Sequence, residues 1–244
     1  MPEKTVTAAI LIIGDEILSG RTIDTNTNTI AKALTQAGIR LMEVHTIPDD
    51  IALISARINA FREKFDYVFT SGGIGPTHDD KTAQALAEAF ERPLSLNQEA
   101  YQLLVTHYGS ENNINEGRRK MAYLPEGAQL IHNPISAAPG IQMDNVFVLA
   151  GVPDIMKSML DTIMPHLKKG AIMESENIIC DGVAESDMAP ALEYIENNYD
   201  SVEIGSYPRY KDGAPSLSIV VRSTKSQDLK NAANDVRVAL ADLK

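Results

Sequence analysis

The run Thr70-Ser71-Gly72-Gly73-Ile74-Gly75-Pro76-Thr77-His78-Asp79-Asp80-Lys81-Thr82 concentrates chemically useful groups more densely than any other part of the chain. It follows a short apolar strand, Tyr67-Val68-Phe69, and leads into a helix starting near Lys81 or Thr82. Glycines let the main chain pass close to a ligand in dihedrals that a Cβ forbids. A helix start adds unpaired N–H groups and a positive dipole end, which suit a phosphate. The amides of Gly72, Gly73 and Gly75 and the hydroxyls of Ser71 and Thr77 are therefore expected to hold one. Asp79 and Asp80 are awkward beside a bare anion, but a hard divalent cation takes oxygen ligands and can sit between carboxylate and phosphate. Asp80 is the expected catalytic carboxylate, with Asp49 as the second catalytic candidate, and Asp80, Asp15 and Asp79 are the expected metal ligands. A plain strand-to-helix turn with an Asp cap would explain any one of these features; their density argues for a metal-assisted phosphate site.

Residues just past the carboxyl ends of parallel strands gather on one sheet edge, where open α/β folds bind ligands. Gly14, Asp15 and Glu16 follow the first strand, with Asp24 and Asn26 at the next helix start. Asp49 and Asp50 follow the second strand, and Ala150-Gly151-Val152-Pro153 follows a later one. So many carboxylates repel one another unless cations bind or some are protonated. Mg²⁺ fits, because it takes one or two carboxylates together with substrate phosphates. Helix capping competes as an account of Asp15, Glu16 and Asp24, and is the stronger account where Asp49 and Asp50 run straight into a helix. His78 could touch phosphate or move a proton, yet has no partner identifiable from sequence. No Cys/His spacing suits zinc, and neither a G-x-S-x-G nor a Walker-type P-loop occurs. Arg118-Arg119-Lys120 is the only basic run; it reads as a solvated helix face, the other reading being a reach to an anionic ligand across a subunit contact.

The elements that must position these residues follow from periodicity. Val6–Ile13 is a continuous aliphatic run, as in a strand buried on both faces. Ile30, Ala33, Leu34 and Ala37 recur at helical spacing and Gly38 closes that helix. A strand over 39–47, a helix striped by Ile51, Ile54, Ile58 and Phe61, the strand at 67–70 and a helix over 82–90 complete a β-α-β-α-β-α order. That order predicts an α/β fold, three layers with a mainly parallel sheet and helices on both faces. Helices over 98–108 and 116–122, short strands at 130–132 and 141–143, a strand over 146–149 and a helix striped by Ile155, Met156, Met159, Leu160 and Ile163 follow. The pattern resets after Lys168-Lys169-Gly170, so residues 1–170 and 171–244 are expected as two domains. The second reads as a small βαββα sandwich, with Lys211-Asp212-Gly213 as a turn between its last two strands.

The 244 residues carry a net charge of −11 and no tryptophan. An acidic chain is poorly suited to nucleic acid or anionic membrane, which need clustered Lys and Arg; a small phosphorylated ligand can instead be held by amides and a metal. The one cysteine, Cys180, permits no intramolecular disulfide and reads as a strand residue. The amino terminus shows no apolar signal core and the run 8–13 is too short to span a bilayer, so a cytoplasmic location is expected.

Taken in order, Gly14-Asp15-Glu16-Ile17-Leu18-x-Gly20 with Asp24-x-Asn26, Ile47-Pro48-Asp49-Asp50, the Ser71–Thr82 block, Ala138-Pro139-Gly140 and Gly151-Val152-Pro153 resemble the MoaB/Mog molybdopterin-binding family. The likeness is closer to the amino-terminal region of CinA-type (competence/damage-inducible protein A) proteins, and the tail resembles the small domain that follows in that group. The resemblance implies pterin phosphate or adenylate binding at the Ser-Gly-Gly loop, with Gly14, Asn26, Gly140 and Gly151 among the ligand-contacting positions. It implies Mg²⁺, with molybdopterin or an adenine nucleotide as ligand, and a homo-oligomer. Two activities run in the group, adenylylation of molybdopterin and hydrolysis of nucleotide pyrophosphates such as ADP-ribose; a non-catalytic molybdopterin- or nucleotide-binding module is the alternative. The chain departs from the family pattern at Ala150, Ile155 and Ser136-Ala137.

Overall fold

A computed structural model describes residues 5–211 and 214–243, and it divides into two compact units, up to Gly170 and from Ala171 onward. The turn expected at Lys211-Asp212-Gly213 lies partly outside the described residues.

The first unit is built on a six-stranded sheet. Its strands are β1 (Thr7–Ile13), β2 (Arg40–Ile47), β3 (Tyr67–Ser71), β6 (Gln129–Ile131), β7 (Gly140–Met143) and β8 (Val146–Leu149), in the order β2-β1-β3-β8-β7-β6. β2, β1, β3 and β8 are mutually parallel, while β7 runs against both β8 and β6. The sheet is mixed and mostly parallel. Residues 144–145 explain the reversal: Asp144 takes a positive φ of 49° in the tight turn that returns β7 as β8. A separate two-stranded pairing, β4 (Leu94–Leu96) with β5 (Tyr123–Pro125), was not expected from the sequence. Three residues are too few to show alternation, so only tertiary pairing defines such strands. Ala122, expected to close a helix, instead leads into β5 as a buried residue.

Helices cover both faces because strand side chains alternate. Ala9, Leu11 and Ile13 of β1 point into a core shared with α3 (Ile51–Lys64), α4 (Thr82–Ala89) and α5 (Gln98–Tyr108). Ala8, Ile10 and Ile12 point the other way, against α2 (Asn26–Gln36) and α7 (Pro153–Ile163). The expected stripes do the packing: Ile54, Ile58 and Phe61 on α3, and Met156, Met159, Leu160 and Ile163 on α7. Phe69 is fully buried and stacks on Phe147 of the neighbouring strand, with ring centroids 5.4 Å apart.

The second unit runs β9 (Glu174–Asp181), α8 (Glu185–Asn197), β10 (Val202–Lys211), β11 (Ala214–Ser223) and α9 (Ser226–Asp242). Its three strands pair antiparallel in the order β10-β11-β9. Cys180, with Leu217, Ile219 and Val221, is buried against α8 and α9. No helix among the described residues is long and apolar enough to cross a membrane.

Truncating Phe69→Ala removes a stacked pair at the centre of the first unit. The expected loss is about 3–5 kcal/mol of unfolding free energy by urea titration; a loss below about 1 kcal/mol would show that the sheet centre is not packed as described.

Candidate functional site

The carboxyl ends of β1, β2, β3 and β8 share one edge, and the chain leaves β1 toward β2 on one side and β3 on the other. A crevice outside such a reversal of strand order is the usual ligand position in open α/β sheets. Hydrogen bonds tie the strand ends together there. The Gly72 N–H donates to the Leu149 carbonyl (3.1 Å) and the Ser71 hydroxyl to the Ala150 carbonyl (3.0 Å). Asn26, the first residue of α2, donates through Nδ2 to Ser71 Oγ (2.9 Å) and to the Gly151 carbonyl (2.7 Å). The Gly151 carbonyl can only accept, which fixes the amide's orientation; Asn26 Oδ1 is left buried with no hydrogen-bond partner. Glycine is required at this junction. Gly72 has φ +112°, and a Cβ there would lie 2.1 Å from the Ile13 carbonyl oxygen; one on Gly151 would lie 3.3 Å from Gly72 Cα.

The loop from Gly72 to Lys81 is closed from both ends. Buried Thr82 donates its hydroxyl to the Gly72 carbonyl (2.9 Å) and its N–H to the Gly73 carbonyl (3.0 Å). At the tip, Asp80 Oδ2 accepts from the Thr77 N–H (2.8 Å) and the Thr77 hydroxyl. The N–H groups of Gly73, Ile74 and Gly75 find no acceptor among the described residues, and all three residues are half-exposed. Gly73, at φ +69°, turns the chain there, and consecutive amides in such a turn form an anion-binding concavity.

This geometry corrects several expectations. The Gly72 amide extends the sheet ladder and the Thr77 amide and hydroxyl serve Asp80, so neither is a free phosphate donor. The Ser71 hydroxyl gives its proton to Ala150 and its lone pair to Asn26. Gly140 is a packing position: a Cβ would sit 2.7 Å from the Val148 carbonyl oxygen and 3.1 Å from Ile131 Cβ. Gly14 stays at the edge, donating its N–H to the Ile47 carbonyl (3.2 Å).

The carboxylates divide into two groups. Asp50 caps α3 by accepting from the Leu53 N–H (2.8 Å), and Asp24 accepts from the N–H groups of Asn26 (2.9 Å) and Thr27 (3.1 Å). Asp49 instead reaches from the end of β2 to the residues after β1, where its Oδ2 accepts from the Asp15 N–H (3.1 Å). Burial pushes the Asp49 carboxyl above its ordinary value; the charges of Asp15, Glu16 and Asp79 add to this, and the Asp15 N–H partly offsets it. Asp79 is fully exposed and held below its ordinary value, first by the nearby Thr77 hydroxyl, whose one proton it shares with Asp80, then by its own N–H, with smaller help from the charges of His78 and Lys120. Asp15, Glu16, Asp49 and Asp79 thus share one field. Among the described residues, no group of three or more His, Cys, Asp or Glu side chains is arranged to hold a metal ion.

Two lysines meet this acidic edge. Lys81 donates to the Asp49 carbonyl (2.9 Å), and Lys120, from the short helix α6 (Glu116–Lys120), donates to the Thr77 carbonyl. Lys81 stood within the conspicuous stretch; Lys120 is forty residues away and only folding reveals it. Two small clefts flank the loop. One, about 60 Å³, is lined by Glu16, Ile23, Asn26, Ser71 and Gly151; the other, about 20 Å³, by Gly73, Gly75, Asp80, Lys120 and Tyr123. Ligand pockets commonly enclose roughly 300–1,000 Å³, so neither cleft encloses a ligand, and one bound here would lie mainly on the open edge.

Residues 9–169 match the family model described as "Probable molybdopterin binding domain". The chain belongs to this family of molybdopterin-binding domains. Residues 173–243 match the FAD synthase middle domain, so the molybdopterin-binding domain and the FAD-synthase-type domain occupy the two units in turn. A protein of Caldivirga maquilingensis is 37% identical over 212 residues, covering 83% of this chain and 81% of its own length. One from Archaeoglobus fulgidus is 36% identical over 200 residues, covering 82% and 85%. The structure of the CinA protein of Thermoplasma acidophilum, whose function is unknown, is 32% identical with a TM-score of 0.61, covering 66% of this chain and 98% of that one. The CinA likeness lies on the molybdopterin-binding side of the pair.

Two outcomes test this geometry. Gly20 has φ +73° with nothing near its Cβ position, so Gly20→Ala should cost about 1–2 kcal/mol from backbone strain alone. Gly72→Ala should cost clearly more in the same urea titration; equal losses would deny the close approach to Ile13. Asp49→Asn should raise the thermal midpoint at pH 7, since the wild-type carboxylate there is ionised against its surroundings. The folded pKa lies above the unfolded one, so the penalty is absent below the ordinary value of 3.8 and complete above the raised folded value. The advantage of Asn should therefore vanish on acidification through that window; the same gain at pH 3 and pH 7 would contradict the shift.

Proposed function

We propose that the first unit binds the phosphate of a nucleotide pyrophosphate, or of an adenylylated pterin, on the amides of Gly73, Ile74 and Gly75 and promotes hydrolysis or transfer at that pyrophosphate. The observation that carries this reading is the pairing of three acceptor-free N–H groups with a carboxyl, Asp49, that burial and neighbouring charge hold out of its ordinary range. Water attacking the α-phosphorus would displace the second phosphate as leaving group and release AMP. Asp49 orients that water and takes its proton. Asp15 fits Mg²⁺ as a hard oxygen ligand, the remaining positions going to water and substrate phosphate, as Mg²⁺ prefers, which leaves Asp49 to the attacking water. Such an ion supplies neutralisation of charge developing at phosphorus. Asp80 holds the Thr77 turn closed and so shapes the amide cradle, which is a positioning role.

One observation favours a second reading, a non-catalytic molybdopterin- or nucleotide-binding module: Asp80, the carboxylate of the loop itself, is committed to holding the Thr77 turn. FAD and ADP-ribose with Mg²⁺ separate the two, the choice of FAD following from the FAD-synthase-type domain in the second unit. Catalysis predicts AMP release that falls by about 10²–10⁴-fold in Asp49→Asn, the usual contribution of a positioned acid or base. Asp80→Ala should raise KM more than it lowers kcat. Calorimetric binding without AMP release would favour the module, and undiminished turnover in Asp49→Asn would remove that residue from the chemistry.

A further inference from the structure

The basic run Arg118-Arg119-Lys120 does not act as a unit. Arg118 is committed elsewhere: its guanidinium lies 3.8 Å over the Tyr108 ring and donates to the Asn113 carbonyl (2.5 Å). Arg119 is exposed. Lys120 alone turns toward the loop, half-buried, with its ammonium on the Thr77 carbonyl. The approach is built into α6. Asn115 caps the helix by accepting from the Arg118 N–H (2.9 Å), and Gly117 brings its backbone against the loop, where a Cβ would lie 2.9 Å from the Pro76 carbonyl oxygen.

An ammonium has three N–H donors, and that carbonyl takes one. No carboxylate lies within ion-pair distance of Lys120 among the described residues, although Asp80 lines the same cleft. A half-buried cation with one neutral partner and two spare donors is suited to an anion. Its cleft opens beside Gly73 and Gly75, on the flank of the loop opposite the Asn26 cleft. We propose that Lys120 is a phosphate-binding residue that takes the second phosphate of a pyrophosphate ligand, while the first rests on the amides of Gly73–Gly75. The inference rests on the reading of those amides as a phosphate cradle. It adds a discriminating element: the site prefers a diphosphate to a monophosphate because Lys120 meets only the former.

Calorimetry of the full chain with AMP and with ADP, both at the same saturating Mg²⁺, tests it. Wild type should bind ADP about tenfold more tightly than AMP, the scale of one charge-assisted hydrogen bond. Lys120→Met should remove that preference while leaving AMP affinity within about twofold, and Lys120→Arg should restore it. Equal binding of AMP and ADP by wild type would overturn the inference and spare the amide cradle. Equal weakening of both in Lys120→Met would also overturn it, showing that the residue merely braces the loop. Failure of wild type to bind either nucleotide would sink the cradle itself, and this inference with it.

Discussion

The approach of Gly72 to the Ile13 carbonyl is the constraint on which the site depends. With a Cβ position 2.1 Å from that oxygen, only glycine lets β3 leave the sheet so close to the end of β1. The Gly72 N–H then stays on the Leu149 carbonyl, and the chain turns at Gly73 under the buried Thr82. Each of these contacts uses up one main-chain group. What remains unused is three consecutive amides at the mouth of the crevice. The cradle is thus a by-product of how tightly β1, β3 and β8 converge, with Asn26 clamping Ser71 to Gly151 across the junction.

Electrostatics set what such a cradle can hold. Amide dipoles favour an anion, yet Asp15, Glu16, Asp49 and Asp79 surround the approach, and burial makes Asp49 the most strained of them. A bare phosphate would meet that field as a repulsion. A phosphate accompanied by a cation, or placed toward the Lys120 side of the loop, would not. The two lysines lie on carbonyls rather than on carboxylates, so they add positive charge to the edge with no direct ion pair among the described residues, although the Lys120 charge reaches Asp79. The crevice around Asp49 and the other flank, where Lys120 and Asp80 line one cleft, therefore give the loop two environments, a division that suits a ligand with more than one phosphate.

Much of this was legible in the sequence. The aliphatic run of β1, the helical stripes of α3 and α7 and the glycine-dense strand-to-helix turn all point to a parallel sheet with a ligand edge, because periodicity and glycine placement are local signals. The antiparallel return of β7 into β8 was legible, because only two residues separate the strands at 141–143 and 146–149; what was not legible is that β6 and β7 extend the main sheet beside β8, which depends on tertiary pairing. Nor could sequence tell which hydrogen-bonding groups remain free. Gly72 and Thr77 looked like phosphate donors by residue type, yet the ladder and Asp80 occupy them, while Ile74, an apolar residue, contributes an open amide. Gly140 looked like a ligand position by its place in a motif, but the Val148 carbonyl accounts for it. Lys120 was hidden among three basic residues until α6 separated their directions.

The most direct measurement is the response of backbone amides to ligand in the ¹⁵N-labelled full chain. On titration with AMP in the presence of Mg²⁺, the largest chemical-shift changes should fall on Gly73, Ile74 and Gly75, with Gly72 and Thr77 moving less because their protons are already committed. If those three amides stay still while the major changes appear elsewhere in the chain, the cradle at the end of β3 does not bind phosphate and the account fails.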